Sequence, residues 1–553
     1  MSRAGGPAAR PDGPTGPPCG DAALARQARL VEALRDPARH DGTVVNVGLI
    51  ETHISWVLLT GRHAYKIRKA VRLGFLDFST LEARRFDCEE ELRLNRRLAP
   101  DLYLDVVAIT GTDRHPAIGG SGPVLEYAVR MREFRQEGLL DAALLRGELT
   151  PAHVDRLAAL VANFHRRIAV AGADSPFGTP EAVQALALAN FAEIRPLVGD
   201  AGDIAALHAL RRWTRAEGAR CDEAFRARRA AGFVRECHGD LHLANIALVG
   251  GDIVIFDAIE FNERMRWIDV ASEIAFTIMD LEHRGAPALA RRFLNAYLEG
   301  TGDYAAVGVL RFYLVYRAMV RAKVACLRTA EVASAAEAAP LLRDFRAHLR
   351  LAEAEAAADT QRPTVVITHG VAGSGKSTVA QALLEHGGAI RIRSDVERKR
   401  LRGMDAMARS GSGVAGDLYA DDATRATYAR VALLARTVVA AGRTVIVDAA
   451  CLRRWQRDLF RDLAQEAGVP RVILDVSAPA ATLGDRVRAR AARADDASEA
   501  DVAVLLHQQR TAEALAADEC ADAVPCDGGT PLTPETIAAL WDRVAGRRAE
   551  PVR

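Results

Sequence analysis

Two stretches of this sequence carry side chains whose types and spacing suit phosphate chemistry. The first is Gly370-Val371-Ala372-Gly373-Ser374-Gly375-Lys376-Ser377-Thr378, which contains the pattern G-x-x-x-x-G-K-[ST]. Glycines let successive backbone N–H groups turn inward around an anion, and a helix opening there adds partial positive charge. In such a loop the lysine reaches the terminal phosphates and the next hydroxyl ligates Mg2+. That assigns Lys376 to phosphate and Ser377 to the metal, with Gly370, Gly373, Ser374, Gly375 and Thr378 completing the cradle. The second stretch, His238-Gly239-Asp240-Leu241-His242-Leu243-Ala244-Asn245, has the form H-x-D-x-x-x-x-N and is followed by Asp257. One aspartate placed to take a hydroxyl proton, with two oxygen-bearing side chains to share Mg2+, is what phosphoryl transfer to an alcohol requires.

The elements that must hold the glycine-rich loop are legible. It follows the apolar strand Thr364–Thr368 and opens the helix Ser377–Leu384, a context that a chance glycine turn lacks. Beyond it the strands Ala389–Arg393, Thr444–Val447 and Val472–Val476 alternate with helices, the pattern of a parallel sheet covered on both faces. Ligands of such sheets sit at the carboxyl ends of strands. Asp395 falls at one such end, either as a general base with Arg398 clamping substrate, or as an N-cap of the helix 395–402. Asp448 falls at another, either holding Mg2+ through water or solvated. Arg486, Arg490 and Arg493 recur at i, i+4, i+7, which makes them a lid over phosphate or a plain charged helix face.

In the first half, Asn245–Val249 and Ile253–Asp257 read as strands joined by Gly250-Gly251-Asp252. A three-residue turn pairs Val249 with Ile253 and sets Asn245 opposite Asp257, ~5 Å apart, within reach of one Mg2+. Asp240 precedes them on a loop, and His238 reads as a structural loop residue. Upstream, Val44–Val47, Ile54–Thr60 and Ala64–Ile67 read as strands, the last two forming a hairpin. A helical pattern covers 21–36, and a charged helix covers Leu81–Leu98 and stops before Pro100. A strand at Val124–Met131 precedes helical sequence to about 230, strands over 233–258, and helices over 267–355. The run Asp359-Thr360-Gln361-Arg362-Pro363 breaks that pattern. The chain therefore divides into a disordered tail at 1–20, a domain at 21–358 and a domain at 362–548.

Apolar residues make up 49 % of the 553 residues and charged residues 26 %, a soluble globular composition with room for two to four domains. The net charge of +1 argues against a polyanion binder. Arg453, Arg454 and Arg457 read as a solvated helix face rather than a nucleic-acid surface. Asp269, Glu273, Asp280 and Glu282 are too ordinary to mark a site for a cationic sugar. The eight cysteines form no C-x-x-C pair, so they read as free thiols of a reducing compartment. Neither a signal peptide nor an apolar run of ~18 residues is visible, which places the chain in the cytoplasm.

These motifs resemble two families. Residues 362–545 resemble small P-loop kinases such as gluconate kinase, zeta toxin, chloramphenicol phosphotransferase and the kinase part of polynucleotide kinase. The resemblance rests on the phosphate loop, Ser394-Asp395-x-x-Arg398, and the Arg-rich segment followed by Asp496-Ala497-Ser498-Glu499-Ala500. Residues 41–330 resemble the aminoglycoside phosphotransferase and choline kinase group, relatives of protein kinases. That likeness implies Asp240 as catalytic base and Asn245 and Asp257 as Mg2+ ligands. It also implies Lys66 as the lysine on the α/β-phosphates, with Glu91 as its helix partner and Glu90 as the alternative. Leu125–Met131 looks like the hinge whose backbone holds adenine. Gly48–Ser55 stands in the place of the nucleotide loop, with one glycine, and Asp257-Ala258-Ile259-Glu260 where protein kinases have D-F-G.

As a whole the chain resembles bacterial fusions of these two modules. The implied fold is an α+β protein-kinase-like N-terminal domain followed by an α/β three-layer P-loop NTPase domain with a parallel sheet. The implied cofactors are ATP and Mg2+, and the implied partner is a small molecule bearing a hydroxyl. The competing reading is a nucleotide-gated regulatory ATPase whose kinase-like domain only binds.

Overall fold

The computed structural model describes residues 19–40, 44–73, 76–358, 362–406, 408, 421–493 and 497–546, without the side chains of 19–21, 73 and 493. Residues 1–18 of the expected tail at 1–20, boundary residues 359–361, Asp496 and the Arg493 side chain lie outside the described residues, while 19–20 open the helix Cys19–Leu34. By contacts the described chain divides into two compact units. The first runs to Ala143 and adds His238–Asp240 and Ala244–Arg266; the second takes Leu144–Cys237, Leu241–Leu243 and everything from Trp267 onward.

The first unit is built on a six-stranded antiparallel sheet. Its order is Gly48–Glu51, Ser55–Leu59, His63–Arg68, Val124–Arg132, Tyr103–Gly111, Pro116–Ile118. Side chains alternate across a strand. Tyr65 and Ile67 therefore join Trp56, Leu58 and Ala128 beneath Leu30, Val31 and Leu34 of the helix Cys19–Leu34. Lys66 and Arg68 point to the other face and meet the helix Leu81–Asn95. Thr80 starts that helix by accepting the Ala83 N–H at 3.1 Å. The run Val44–Val47, expected as a strand, is coil with Val45 88 % exposed. The ladder begins instead at Gly48, opposite Leu59.

The hairpin after Asn245 corrects the sequence reading. A two-residue turn, Gly250-Gly251 at φ 62 and 92, pairs Val249 with Asp252. Positive φ at both central residues matches the right-handed twist of the flanking strands, which is why two glycines sit there. The register moves by one residue, and a one-residue slip exchanges the faces of a strand. Asn245 consequently lies opposite Phe256, whose N–H donates to the Asn245 carbonyl at 3.0 Å, and not opposite Asp257.

The second unit holds the helices Pro151–Arg167, Val270–His283, Pro287–Thr301, Val307–Thr329 and Ala335–Ala357 and a five-stranded parallel sheet. The sheet order is Ile390–Arg393, Val445–Asp448, Val365–His369, Arg471–Ser477, Ala523–Asp527. Val379, Leu383 and Leu384 of the helix Lys376–Gly387 cover one face together with Leu540 and Val544. The strand order reverses around Val365–His369, so the loop after that strand opens into the crevice where such sheets bind ligands. The edge strand Ala523–Asp527 contains Pro525, which hides it from sequence reading; an edge tolerates the missing donor.

Among the described residues, no helix is long and apolar enough to cross a membrane, and Cys88, Cys221, Cys237, Cys326, Cys451, Cys520 and Cys526 are free thiols.

Candidate functional site

In the first unit, Lys66 Nζ stands 2.8 Å from Glu91 Oε1 and 2.6 Å from Asp257 Oδ1. Glu90 turns away and pairs with Arg93 at 2.8 Å, so of the two candidates Glu91 is the one beside Lys66. Burial works against the Lys66 ammonium, but Asp257 and Glu91 outweigh it and hold its pKa well above the ordinary lysine value. Burial likewise pushes Asp257 up, and Lys66 overcomes this to hold it below the usual carboxylate range.

Sequence reading missed the ring behind this pair. Arg68, two residues along the same strand face, meets Asp87 at 2.5 Å, Glu91 at 2.6 Å, and Glu260. Asp87 and Glu91 are four apart on one helix, so both spacings were present as a signal. Burial pushes Glu260 up to about 8 and Asp87 up to about 6, against the pull of Arg68.

Asp257 takes φ 64, a conformation costly for a non-glycine residue. Two side chains hold it there: Tyr103 Oη accepts the Asp257 N–H at 3.2 Å, and Asn95 Oδ1 accepts the Ala258 N–H at 2.8 Å. The left-handed turn brings Asp257 to Lys66 despite the altered hairpin register. Asn245 Nδ2 donates to Asp240 Oδ2 and to its carbonyl, both at 3.0 Å. That leaves the Asn245 side-chain Oδ1 and the second Asp257 carboxylate oxygen as oxygen donors that fit a hard cation. His238 Nε2 donates to the Phe256 carbonyl at 2.9 Å and its Nδ1 accepts the Asp240 N–H at 3.3 Å, a loop-holding position.

Within the expected hinge Leu125–Met131, Ala128–Met131 is paired on both sides, by His63–Arg68 and by Tyr103–Gly111, whereas Glu126 and Tyr127 are paired only with Tyr103–Gly111.

In the second unit, Lys376, Ser377, Asp395, Arg398, Asp448, Arg486 and Arg490 line one cavity of about 810 Å³. Thr378 lines it too, from an exposed position. Gly370, Gly373 and Gly375 all take positive φ in the loop, and Ser374 is fully buried. Lys376 Nζ donates to the Val371 carbonyl at 2.8 Å. Burial lowers its pKa to about 8, although Asp448 and Asp395 pull the other way. Ser377 Oγ donates to Asp448 Oδ1 at 3.2 Å, and the buried Asp448 Oδ2 accepts no hydrogen bond among the described residues. This hydroxyl and carboxylate are a donor set suited to hydrated Mg2+.

Asp395 is not an N-cap: the helix runs Ser394–Arg400, with Arg393 at the cap position. Its carboxylate pairs with Arg398 at 2.7 Å. Arg486 donates to the Gly528 carbonyl at 2.7 Å and Arg490 to the Ala500 carbonyl at 2.9 Å.

Several lining residues carried no sequence signal. Gln508 accepts the Ala372 N–H at 2.7 Å, and Arg425 lies over the Trp455 ring at 4.9 Å. Gly528 packs so closely that a Cβ there would sit 1.8 Å from the Ser374 carbonyl. The basic cluster is also corrected: Arg457 is buried and paired with Glu519 at 2.7 Å, while Arg453 and Arg454 pair with Glu513 and Asp518.

Residues 77–310 match a family model described as a phosphotransferase enzyme family, and residues 365–515 match one described as an AAA domain. The uncharacterized protein Rv2004c of Mycobacterium tuberculosis is 31 % identical over 461 residues, covering 83 % of this chain and 89 % of that protein. A sugar kinase structure from a Janibacter species is 24 % identical, over 34 % of this chain and 98 % of that one, with a TM-score of 0.26. A choline kinase structure from Cryptosporidium parvum is 12 % identical, over 60 % of this chain and 95 % of that one, with a TM-score of 0.38. Likenesses that low carry no argument about activity. The chain belongs to the same family as the mycobacterial protein, with a phosphotransferase-family domain followed by a P-loop AAA domain.

Proposed function

We propose that this chain is a cytoplasmic phosphotransferase that uses ATP and Mg2+ to phosphorylate a hydroxyl of a small molecule, with a nucleotide site in each of two domains, 21–358 and 362–548. The observation that carries this reading is the ion pair of Lys66 with Glu91, extended to Asp257. Kinases of this kind need that pair in place before they transfer phosphate. In the N-terminal site Asp240 receives the hydroxyl proton, and the Asn245 amide orients it. Asn245 and Asp257 offer oxygens to the metal, and Lys66 meets phosphate. In the C-terminal site Lys376 and the loop amides hold phosphate, and Ser377 and Asp448 hold the metal. There Asp395 is the base, and Arg486 and Arg490, which line the cavity, act with Arg493 as the lid on the phosphates. ATP supplies the transferred group and Mg2+ neutralises its charge.

A second reading draws on the Asp395–Arg398 pair. An Asp395 carboxylate already engaged by Arg398 at 2.7 Å is turned to its own helix and not to an acceptor hydroxyl, which suits a P-loop domain that hydrolyses ATP to regulate a partner.

The test is ATP consumption with Mg2+, with and without a panel of sugars, nucleosides, amino alcohols and aminoglycosides. Panel-stimulated turnover that falls about 100-fold or more in Asp240→Asn is the expected result. Turnover indifferent to the panel, and lost only in Lys376→Ala, overturns the kinase reading in favour of the regulatory ATPase.

A further inference from the structure

The second unit contains a polar seam between a helix of the phosphotransferase-family region and the catalytic edge of the parallel sheet. Ile390–Arg393 is an edge strand of that sheet. Edge strands leave backbone groups unpaired. Asn295, on the helix Pro287–Thr301, covers them: its amide donates to the Ala389 carbonyl at 3.2 Å and accepts the Arg391 N–H at 2.8 Å. One helical turn further, Glu299 takes Arg391 on Oε2 at 3.1 Å and Arg393 on Oε1 at 3.2 Å. Arg400 donates to the Glu299 carbonyl, a favourable place for a cation at the end of a helix.

Arg393 faces a second carboxylate. Its Nε stands 3.8 Å from Asp448 Oδ2, on the residue that accepts from Ser377. One guanidinium is thus shared between Glu299, from the phosphotransferase-family helix, and Asp448, in the P-loop cavity. These side chains are 17 %, 14 % and 5 % exposed for Glu299, Arg393 and Asp448, so solvent screens their charges only weakly. A cation drawn toward Asp448 competes with any metal that Asp448 holds, and a carboxylate that draws Arg393 away relieves the competition.

We infer that Glu299 is a positioning residue for the P-loop site: by holding Arg393 it keeps Asp448 available to Mg2+. A helix of one domain thereby sets the metal affinity of the other. The inference rests on the reading of Ser377 and Asp448 as the Mg2+ site.

The experiment uses the full chain and a fluorescent non-hydrolysable ATP analogue, and follows the binding component that Lys376→Ala abolishes. The readouts are the Mg2+ concentration at half-maximal binding and the thermal unfolding midpoint. Glu299→Gln is expected to raise the half-saturating Mg2+ concentration at least about threefold. Arg393→Gln is expected to lower it, and adding Glu299→Gln to Arg393→Gln should then move it less than about 1.5-fold. A Glu299 that merely joins the domains would lower the unfolding midpoint in both backgrounds and leave the Mg2+ midpoint alone.

An unmoved Mg2+ midpoint in Glu299→Gln, or an equal shift in both backgrounds, overturns the inference. Should Glu299→Gln not fold, Arg393→Gln decides by itself, and an unchanged or raised midpoint overturns it. Failure of the underlying site assignment looks different. In that case the parent protein binds the analogue without regard to Mg2+, or keeps its Mg2+ dependence in Asp448→Asn.

Discussion

Lys66 and Lys376 are the same residue type assigned to the same ligand chemistry, yet the protein holds them in opposite electrostatic states. Lys66 Nζ lies within 2.8 Å of two carboxylates. Lys376 Nζ donates to a carbonyl, and its acids, Asp448 and Asp395, act on it without a direct ion pair. One ammonium is stabilised well above its ordinary pKa, whereas burial lowers the other to about 8. The first site carries its own counter-charge and keeps its geometry without a ligand. The second leaves a desolvated cation whose charge is best satisfied by an arriving anion.

The sharpest way to break this contrast is to remove each lysine. Lys376→Ala should weaken nucleotide binding at the P-loop site about 100-fold, the scale of losing charge-assisted hydrogen bonds to phosphate. It should leave thermal stability unchanged or slightly higher, because a desolvated charge is gone. Lys66→Ala should behave in the reverse sense. It strips a partner from the buried Glu91 and should lower stability by about 3 kcal/mol. Calorimetric binding and thermal unfolding of both variants check the pair, and equal stability losses would end the distinction.

The next test is pH. A Lys376 pKa of about 8 in the empty site means that the ammonium is progressively lost above that pH. Bound phosphate favours the charged form, so binding takes up a proton there. Affinity at the P-loop site should fall up to about tenfold per pH unit above pH 8. Calorimetry in buffers of different ionisation enthalpy should register the proton uptake. A site built around Lys66, charged throughout that range, should show no such slope from its lysine.

How much of this was legible depends on whether the chemistry lay in a local motif. The phosphate loop, with Ser377, was readable because strand, glycines, lysine and helix are contiguous, and Asp448 was a candidate by the strand-end rule of parallel sheets; their contact with each other was not foreseen. The hairpin was misread by one residue because Gly250-Gly251-Asp252 permits both a three-residue and a two-residue turn; only the positive φ at both glycines selects the shorter one. Asp257 reaches Lys66 through its own left-handed backbone, held by Tyr103 and Asn95 from distant segments, and no spacing rule contains that. The Arg68 ring was open to discovery, since Lys66 and Arg68 share a strand face and Asp87 and Glu91 a helix face. The contacts of Glu299 with Arg391 and Arg393 join residues more than ninety positions apart, and one sequence offers nothing to pair them.

The smallest effect probes the surplus of acid around Lys66. Asp87, Glu91, Asp257 and Glu260 share Lys66 and Arg68 in that ring, so acids outnumber cations among these contacts. Burial raises Glu260 to about 8, far above its value in an unfolded chain. A carboxyl raised on folding contributes stability that is complete below its unfolded pKa and disappears as pH rises through the folded one. Between pH 7 and 8 that loss should amount to about 1 kcal/mol. Glu260→Gln keeps the oxygen that faces Arg68 but cannot ionise, so its stability should stay flatter over the same interval. Denaturant unfolding of both proteins at pH 7 and 8 measures the difference. Parallel declines would show that the proton resides elsewhere in the ring, with Asp87, raised to about 6, the next group to examine.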